Sequence, residues 1–117
     1  AIDVRARRPR IATTYGGLSG PAIKPIALRM VHQIAKALPD LPISGIGGVM
    51  SGEDALEFLM AGARTVQVGT ALFAEPTAIA RITDELRGLL AELGIPSVAA
   101  AIGCLEAIPA EAPYVST

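Results

Sequence analysis

Two short apolar runs in this chain end in bare backbone. Residues 41–45 lead into Gly47-Gly48, and residues 65–68 lead into Gly69-Thr70. A phosphate needs several N–H donors converging with no side chain in the way. Glycine permits that approach, and a helix starting just beyond adds about half a positive charge. Gly47, Gly48, Gly69 and Thr70 meet this need if the two strands lie side by side, with the Thr70 hydroxyl as a further donor. The step from Gly47 to Gly69 is 22 residues, the length of one βα unit. The same glycines also suit plain strand-to-helix turns, and the residues alone leave both readings open. A dinucleotide fingerprint is not satisfied, because Met50 falls where the third glycine of G-x-G-x-x-G belongs.

The other chemistry-bearing residues read more plainly. The loop of residues 16–21, GGLSGP, either folds over a ligand with Gly20 closest or serves as a flexible connection. Lys24, just before a helix, is placed to meet an anion or a carboxylate, and a solvated lysine is the simpler reading. His32 sits among polar neighbours with no Asp or Cys spaced to make a triad or a metal site, so it is expected on the surface. Cys104 lies in an Ala-rich stretch and is expected to be a buried packing residue. Glu53 and Asp54 are explained by helix capping. No metal cluster, P-loop or pair of catalytic carboxylates is visible in the sequence.

These residues need elements to position them. Residues 1–4 alternate apolar and polar like the end of a strand, residues 5–10 read as an exposed basic turn, and residues 11–15 as a short extended piece. Pro25 suits the first residue of a helix whose apolar stripe is Ile26, Met30, Ile34 and Leu38, with Ala27, Val31 and Ala35 beside it. Pro39-Asp40 ends it. After the first buried strand, Ser51 caps a second helix that turns Ala55, Leu56, Leu59 and Met60 inward and closes at Gly62. After the second strand, Pro76 opens a long helix carrying Ile79, Ile82, Leu86, Leu89 and Leu90, stopped by Gly94 and Pro96. Ser97 caps a last helix running to about Ala107, and residues 109–117 read as a flexible tail. Strands one βα unit apart are expected to be parallel.

Composition narrows the function classes. The 117 residues suit one small domain, whereas a whole (β/α)8 barrel needs about 250. Hydrophobic residues make up 51% and aromatics 3%, so Ala, Ile, Leu and Val must fill the core. A net charge of −1 argues against nucleic acid. No apolar run reaches the roughly 18 residues of a membrane span. One cysteine fits a reducing, cytoplasmic compartment.

At this point the wording of the chain matters. YGGLSGPAIKPIALRMVHQIAKAL, followed by ISGIGGVMSGEDALEFLMAGARTVQVGTALF, closely resembles bacterial dihydroorotate dehydrogenase of class 1B. The match is dense over residues 1–76 and weaker beyond. The resemblance implies an α/β fold: residues 1–117 as the C-terminal part of an FMN-dependent TIM (β/α)8 barrel, from the end of strand six through strand eight with the following helices. It implies that Gly20 contacts FMN and that Gly47, Gly48, Gly69 and Thr70 hold the FMN phosphate. Thr13 departs from the asparagine that relatives often carry there. The family's cysteine base, flavin-contacting lysine and substrate-binding asparagines are expected upstream of Ala1. Cys104 does not match that base, so no catalytic residue is expected in this chain and it should be inactive alone.

The resemblance further implies oxidation of dihydroorotate to orotate in pyrimidine synthesis. Electrons would leave through an iron–sulfur flavoprotein partner to NAD⁺. Two other readings stand beside it: an FMN barrel of dihydropyrimidine dehydrogenase type, and a non-catalytic half-barrel that associates with itself. Strand edges and apolar helix faces left uncovered by so short a chain lead us to expect a homo-oligomer.

Overall fold

A computed structural model describes residues 1–106. Its centre is a parallel pair of strands, β3 (Ser44–Ile46) and β4 (Thr65–Gln67), in register Ser44 to Thr65 and Ile46 to Gln67. Helix α2 (Gly52–Met60) crosses between them. One βα unit separating parallel neighbours is what the spacing of the glycine-broken strand ends predicts. β3 begins later than expected, at Ser44, because only from there does it face β4.

Helix α2 is defined at both ends by local chemistry. Ser51 Oγ accepts from Asp54 N–H at 3.1 Å, and Asp54 Oδ2 accepts from Ser51 N–H at 3.0 Å, a reciprocal capping box. At the other end Gly62 N–H bonds Leu59 O and Ala63 N–H bonds Phe58 O, with Gly62 at φ +113°. That is a Schellman closure, which needs the left-handed residue that glycine supplies. The helix buries Ala55, Leu56, Phe58 and Leu59, whereas Met60 is only half-buried. Phe58, fully buried, was not among the expected inward residues.

Helix α1 (Lys24–Ala37) follows a 3-10 turn over Pro21–Ile23, so Pro25 is its second residue, not its first. Its expected stripe is displaced. Ile26, Met30, Ile34 and Leu38 are exposed, while Val31 is buried, with Ala27 and Leu28 packed against the same core. The small side chains face inward because α1 leans closely on the turn after α2: a Cβ on Gly62 would lie 2.5 Å from the Ala35 Cβ.

After β4 come α3 (Ala71–Ala74) and α4 (Ala78–Glu92). Pro76 does not open α4. Residues 75–77 form a turn in which Ala78 N–H bonds Glu75 O, and the helix starts after Thr77. Ile82 is buried and Leu86, Leu89 and Leu90 are half-buried, whereas Ile79 is exposed. α4 packs across the start of α2, where a Cβ on Gly52 would approach the Glu85 Cβ to 2.5 Å. A second small cluster joins Leu56 and Leu59 to Ala101.

Four further expectations are corrected. β1 (Ile2–Asp3) pairs antiparallel with β2 (Arg8–Pro9), so the N-terminal segment is an exposed hairpin and not the end of a strand beside β3. Asp3 Oδ1 ties its turn by accepting from the N–H groups of Arg5 and Ala6. Residues 11–15 are turns, with Thr14 at φ +63°, and not extended. Helix α5 (Val98–Ala101) stops well short of Ala107. Gly103 turns left-handed at φ +70° and donates to Leu59 O at 2.9 Å, and Leu105 donates to Met60 O at 3.3 Å. Leu105 thereby satisfies the Met60 carbonyl at the end of α2, and Gly103 gives the Leu59 carbonyl a second donor beside Gly62. Cys104 lies past α5 and is exposed, not buried. Ala107 and the expected tail at 109–117 lie outside the described residues.

Candidate phosphate-binding cleft

The ends of β3 and β4 and the loop before α1 enclose a cleft of about 400 Å³. Gly20, Gly47, Gly48, Gly69 and Thr70 all line it, together with Leu18, Ser19, Ile23, Ile46 and Gln67. Leu18 and Ser19 belong to the 16–21 loop already read as one that could fold over a ligand, whereas sequence reasoning missed Ile23, Ile46 and Gln67. Ile46 and Gln67 carried a usable signal, since each stands at the end of a strand just before a glycine break.

Each glycine serves the cleft differently. Gly48 has φ +76°, and a Cβ there would sit 2.7 Å from Gly20 O and 2.9 Å from Lys24 Cβ. It lets the first loop close down onto the end of β3. Gly47, at φ +122°, would push a Cβ to 3.1 Å from Ala27 Cβ. Gly20 is buried with φ +81°, and a Cβ there would lie 3.8 Å from Thr70 Cγ2. A Cβ on Gly69 meets nothing within 4 Å. Gly69 therefore borders open space that a side chain would fill, while Gly47 and Gly48 are also constrained by their own neighbours.

The donors suit an anion. Among the described residues, the N–H groups of Gly48, Gly69 and Thr70 donate to no protein acceptor. The Thr70 side chain does not cap α3. No carboxylate lines the cleft. A phosphate would be met by neutral, fixed dipoles. One expectation fails: the start of α2 does not offer its N–H groups here. Met50 and Ser51 donate to Asp54 Oδ2, and Gly52 donates to Glu85 Oε2 at 2.7 Å. The start of α2 is already satisfied by Asp54 of its own first turn and by Glu85 of α4.

Two charge clusters flank the cleft. Lys24 is not solvated: Nζ lies 2.5 Å from Asp54 Oδ1 and 2.8 Å from Glu57 Oε2. The Glu57 contact is off the hydrogen-bonding direction and acts as a charge contact only. Asp54 and Glu57 raise the Lys24 pKa. Burial pushes the Asp54 carboxyl up, but the bonds from Lys24 and the Met50 N–H outweigh it and hold it below its ordinary range. On the other side Arg81 grips Glu75 with two nitrogens, at 2.7 to 3.0 Å, and Glu85 at 2.8 Å. Arg81 in turn lowers both carboxyls, helped at Glu85 by the Gly52 N–H. Of this cluster only the Arg81–Glu85 pair, four residues apart on α4, carried a signal in the sequence spacing. His32 is half-buried on α1, away from the cleft lining, and Glu53 is exposed. Among the described residues no group of three metal-ligating side chains occurs. No described helix is long and apolar enough to cross a membrane.

The family model for dihydroorotate dehydrogenase matches residues 1–90. The chain belongs to the dihydroorotate dehydrogenase family. It is 58% identical over 106 residues to a Geobacter protein (strain M21) named dihydroorotate dehydrogenase B (NAD(+)), catalytic subunit. That match covers 91% of this chain and 34% of the relative. A Citrifermentans bemidjiense protein of the same name matches with the same identity and coverage. Ligand-free dihydroorotate dehydrogenase from Eimeria tenella superposes with a TM-score of 0.74 at 34% identity, over 83% of this chain and 29% of that one. The chain spans about a third of the length of the curated dihydroorotate dehydrogenases it matches.

Proposed function

We propose that this chain supplies the phosphate-binding end of the FMN site in a class 1B dihydroorotate dehydrogenase. β3 and β4 stand as strands seven and eight of its (β/α)8 barrel. The observation that carries the reading is the convergence of Gly20, Gly47, Gly48, Gly69 and Thr70 on one cleft that holds unspent N–H donors and no carboxylate. Identity of 58% to proteins named dihydroorotate dehydrogenase favours this over the dihydropyrimidine dehydrogenase type.

In this reading the N–H groups of Gly48, Gly69 and Thr70 bind the phosphate, with the Thr70 hydroxyl as a further donor. The open space beside Gly69 admits the phosphate oxygens. Gly20 lines the cleft beside Thr70, where its missing side chain leaves room for the ligand. FMN, once bound, supplies the two-electron acceptor for oxidation of dihydroorotate to orotate. The base that takes the C5 proton comes from outside this chain, and Cys104 has no part in it. By the same reading the protein works in the cytoplasm as a homo-oligomer, beside an iron–sulfur flavoprotein that relays electrons to NAD⁺.

The test is flavin retention in the full-length protein. Gly69→Val places a side chain in the open space without a protein clash. Purified protein should lose most of its FMN absorbance relative to wild type. Full retention of FMN would overturn the assignment.

A further inference from the structure

Met50 stands two residues beyond Gly48 and is held from both sides. Its N–H donates to Asp54 Oδ2 at 2.8 Å, and its carbonyl accepts from Arg81 Nη2 at 3.2 Å. The other oxygen of Asp54 holds Lys24, which follows Gly20 by four residues. The guanidinium of Arg81 holds Glu75, which follows Thr70 by five residues. The three backbone segments that form the cleft are thus tied to one residue, Met50, by charge-assisted hydrogen bonds.

We propose that the Lys24–Asp54 and Arg81–Glu75 pairs are positioning groups for the cleft, setting the spacing of its three loops through the Met50 backbone. The inference rests on reading the cleft as the FMN phosphate site. None of the four side chains lines the cleft, so none touches the ligand. Their effect is on aim. A site made of backbone dipoles has no flexible side chain to correct a displaced loop, so its donors depend on the supporting shell. Charge-assisted bonds are the directional kind that can hold such a loop. Lys24 and Asp54 are also well shielded, with side chains 25% and 14% exposed, so water competes weakly for them.

The proposal separates from a purely structural role by comparing FMN with riboflavin, which lacks only the phosphate. In the full-length apoprotein, Lys24→Met and Asp54→Asn should each weaken FMN binding about tenfold, the effect of one misplaced hydrogen bond to a charged group. Riboflavin binding should change less than about twofold. Lys24→Met decides the matter if Asp54→Asn fails to fold, since Asp54 keeps its bonds to Met50 and Ser51. A parallel fall for both flavins, or no fall for either, overturns the positioning role. If Gly69→Val loses FMN while Lys24→Met and Asp54→Asn do not, the phosphate site stands and the network falls. If Gly69→Val keeps FMN, the site reading itself fails.

Discussion

Gly45 and Phe58 are packed so closely that a Cβ on Gly45 would lie 2.6 Å from Phe58 Cδ1. The missing side chain in β3 is the space into which the one fully buried aromatic ring of the described residues fits. Gly45→Ala should destabilise the protein by about 1–3 kcal/mol through overpacking. Phe58→Ala should cost about 3–5 kcal/mol. Because the two share one space, Gly45→Ala should cost much less in the Phe58→Ala background. Denaturant melts of the four proteins check this, and additive losses would refute the coupling.

Gly48 and Gly69 should separate under the same substitution. Gly48→Ala strains a left-handed residue and strikes Gly20 O, so it should lower the melting temperature as well as flavin retention. Gly69→Ala meets no atom and should leave stability within about 0.5 kcal/mol, as for a surface change. A melting temperature lowered equally by both would contradict this division.

Acid should weaken the fold through the carboxylates around Met50. The pKa values of Asp54, Glu75 and Glu85 lie below their ordinary 3.8, 4.5 and 4.5. The unfolded chain then binds more protons near those values, so stability rises with pH there. The contribution is complete above about pH 5 and is lost as pH falls through the depressed folded values. Lys24, raised from 10.5, adds stability that is fully present below about 10.5 and is lost as pH rises through its raised folded value. Melts between pH 2 and pH 6 should show a steeper acid loss in wild type than in Asp54→Asn.

Cys104 should react with a thiol reagent in the folded 117-residue chain without denaturant, because it is exposed past the end of α5. Cys104→Ser should leave the melting temperature unchanged. Labelling that requires unfolding would show the thiol to be covered.

The 117-residue chain by itself should associate. Ile26, Met30 and Ile34 line an exposed face of α1, and Phe73 is 94% exposed. Apolar area of this kind is normally covered in a soluble protein. Sedimentation should find species larger than the 12.0 kDa monomer. A monodisperse monomer with a cooperative melt would refute the expectation.

The sequence by itself determined what depends on near neighbours. The breaks at Gly47, Gly48 and Gly62, the cap at Ser51 and the single βα step between strands follow from φ preferences and side chains within a few residues of their targets. The grouping of Gly47, Gly48, Gly69 and Thr70 as one candidate site follows from the glycine breaks and their spacing, whereas Gly20 joined it only through the family resemblance. Only the tertiary structure decided which side of α1 faces inward, because Ile26, Met30 and Ile34 form as good a helical stripe as Ala27, Val31 and Ala35. What separates them is the close approach at Gly62, where only small side chains fit. It also decided that α2 offers the cleft no N–H groups and that Met50 is held from two sides. The Met50 and Ser51 N–H groups are spent on Asp54, three to four residues away, but the rest depends on Glu85 and Arg81, which lie some 30 residues from the groups they meet. Contacts so distant leave no periodicity in the chain, since they are set by how α2 and α4 cross and not by any local preference of the backbone.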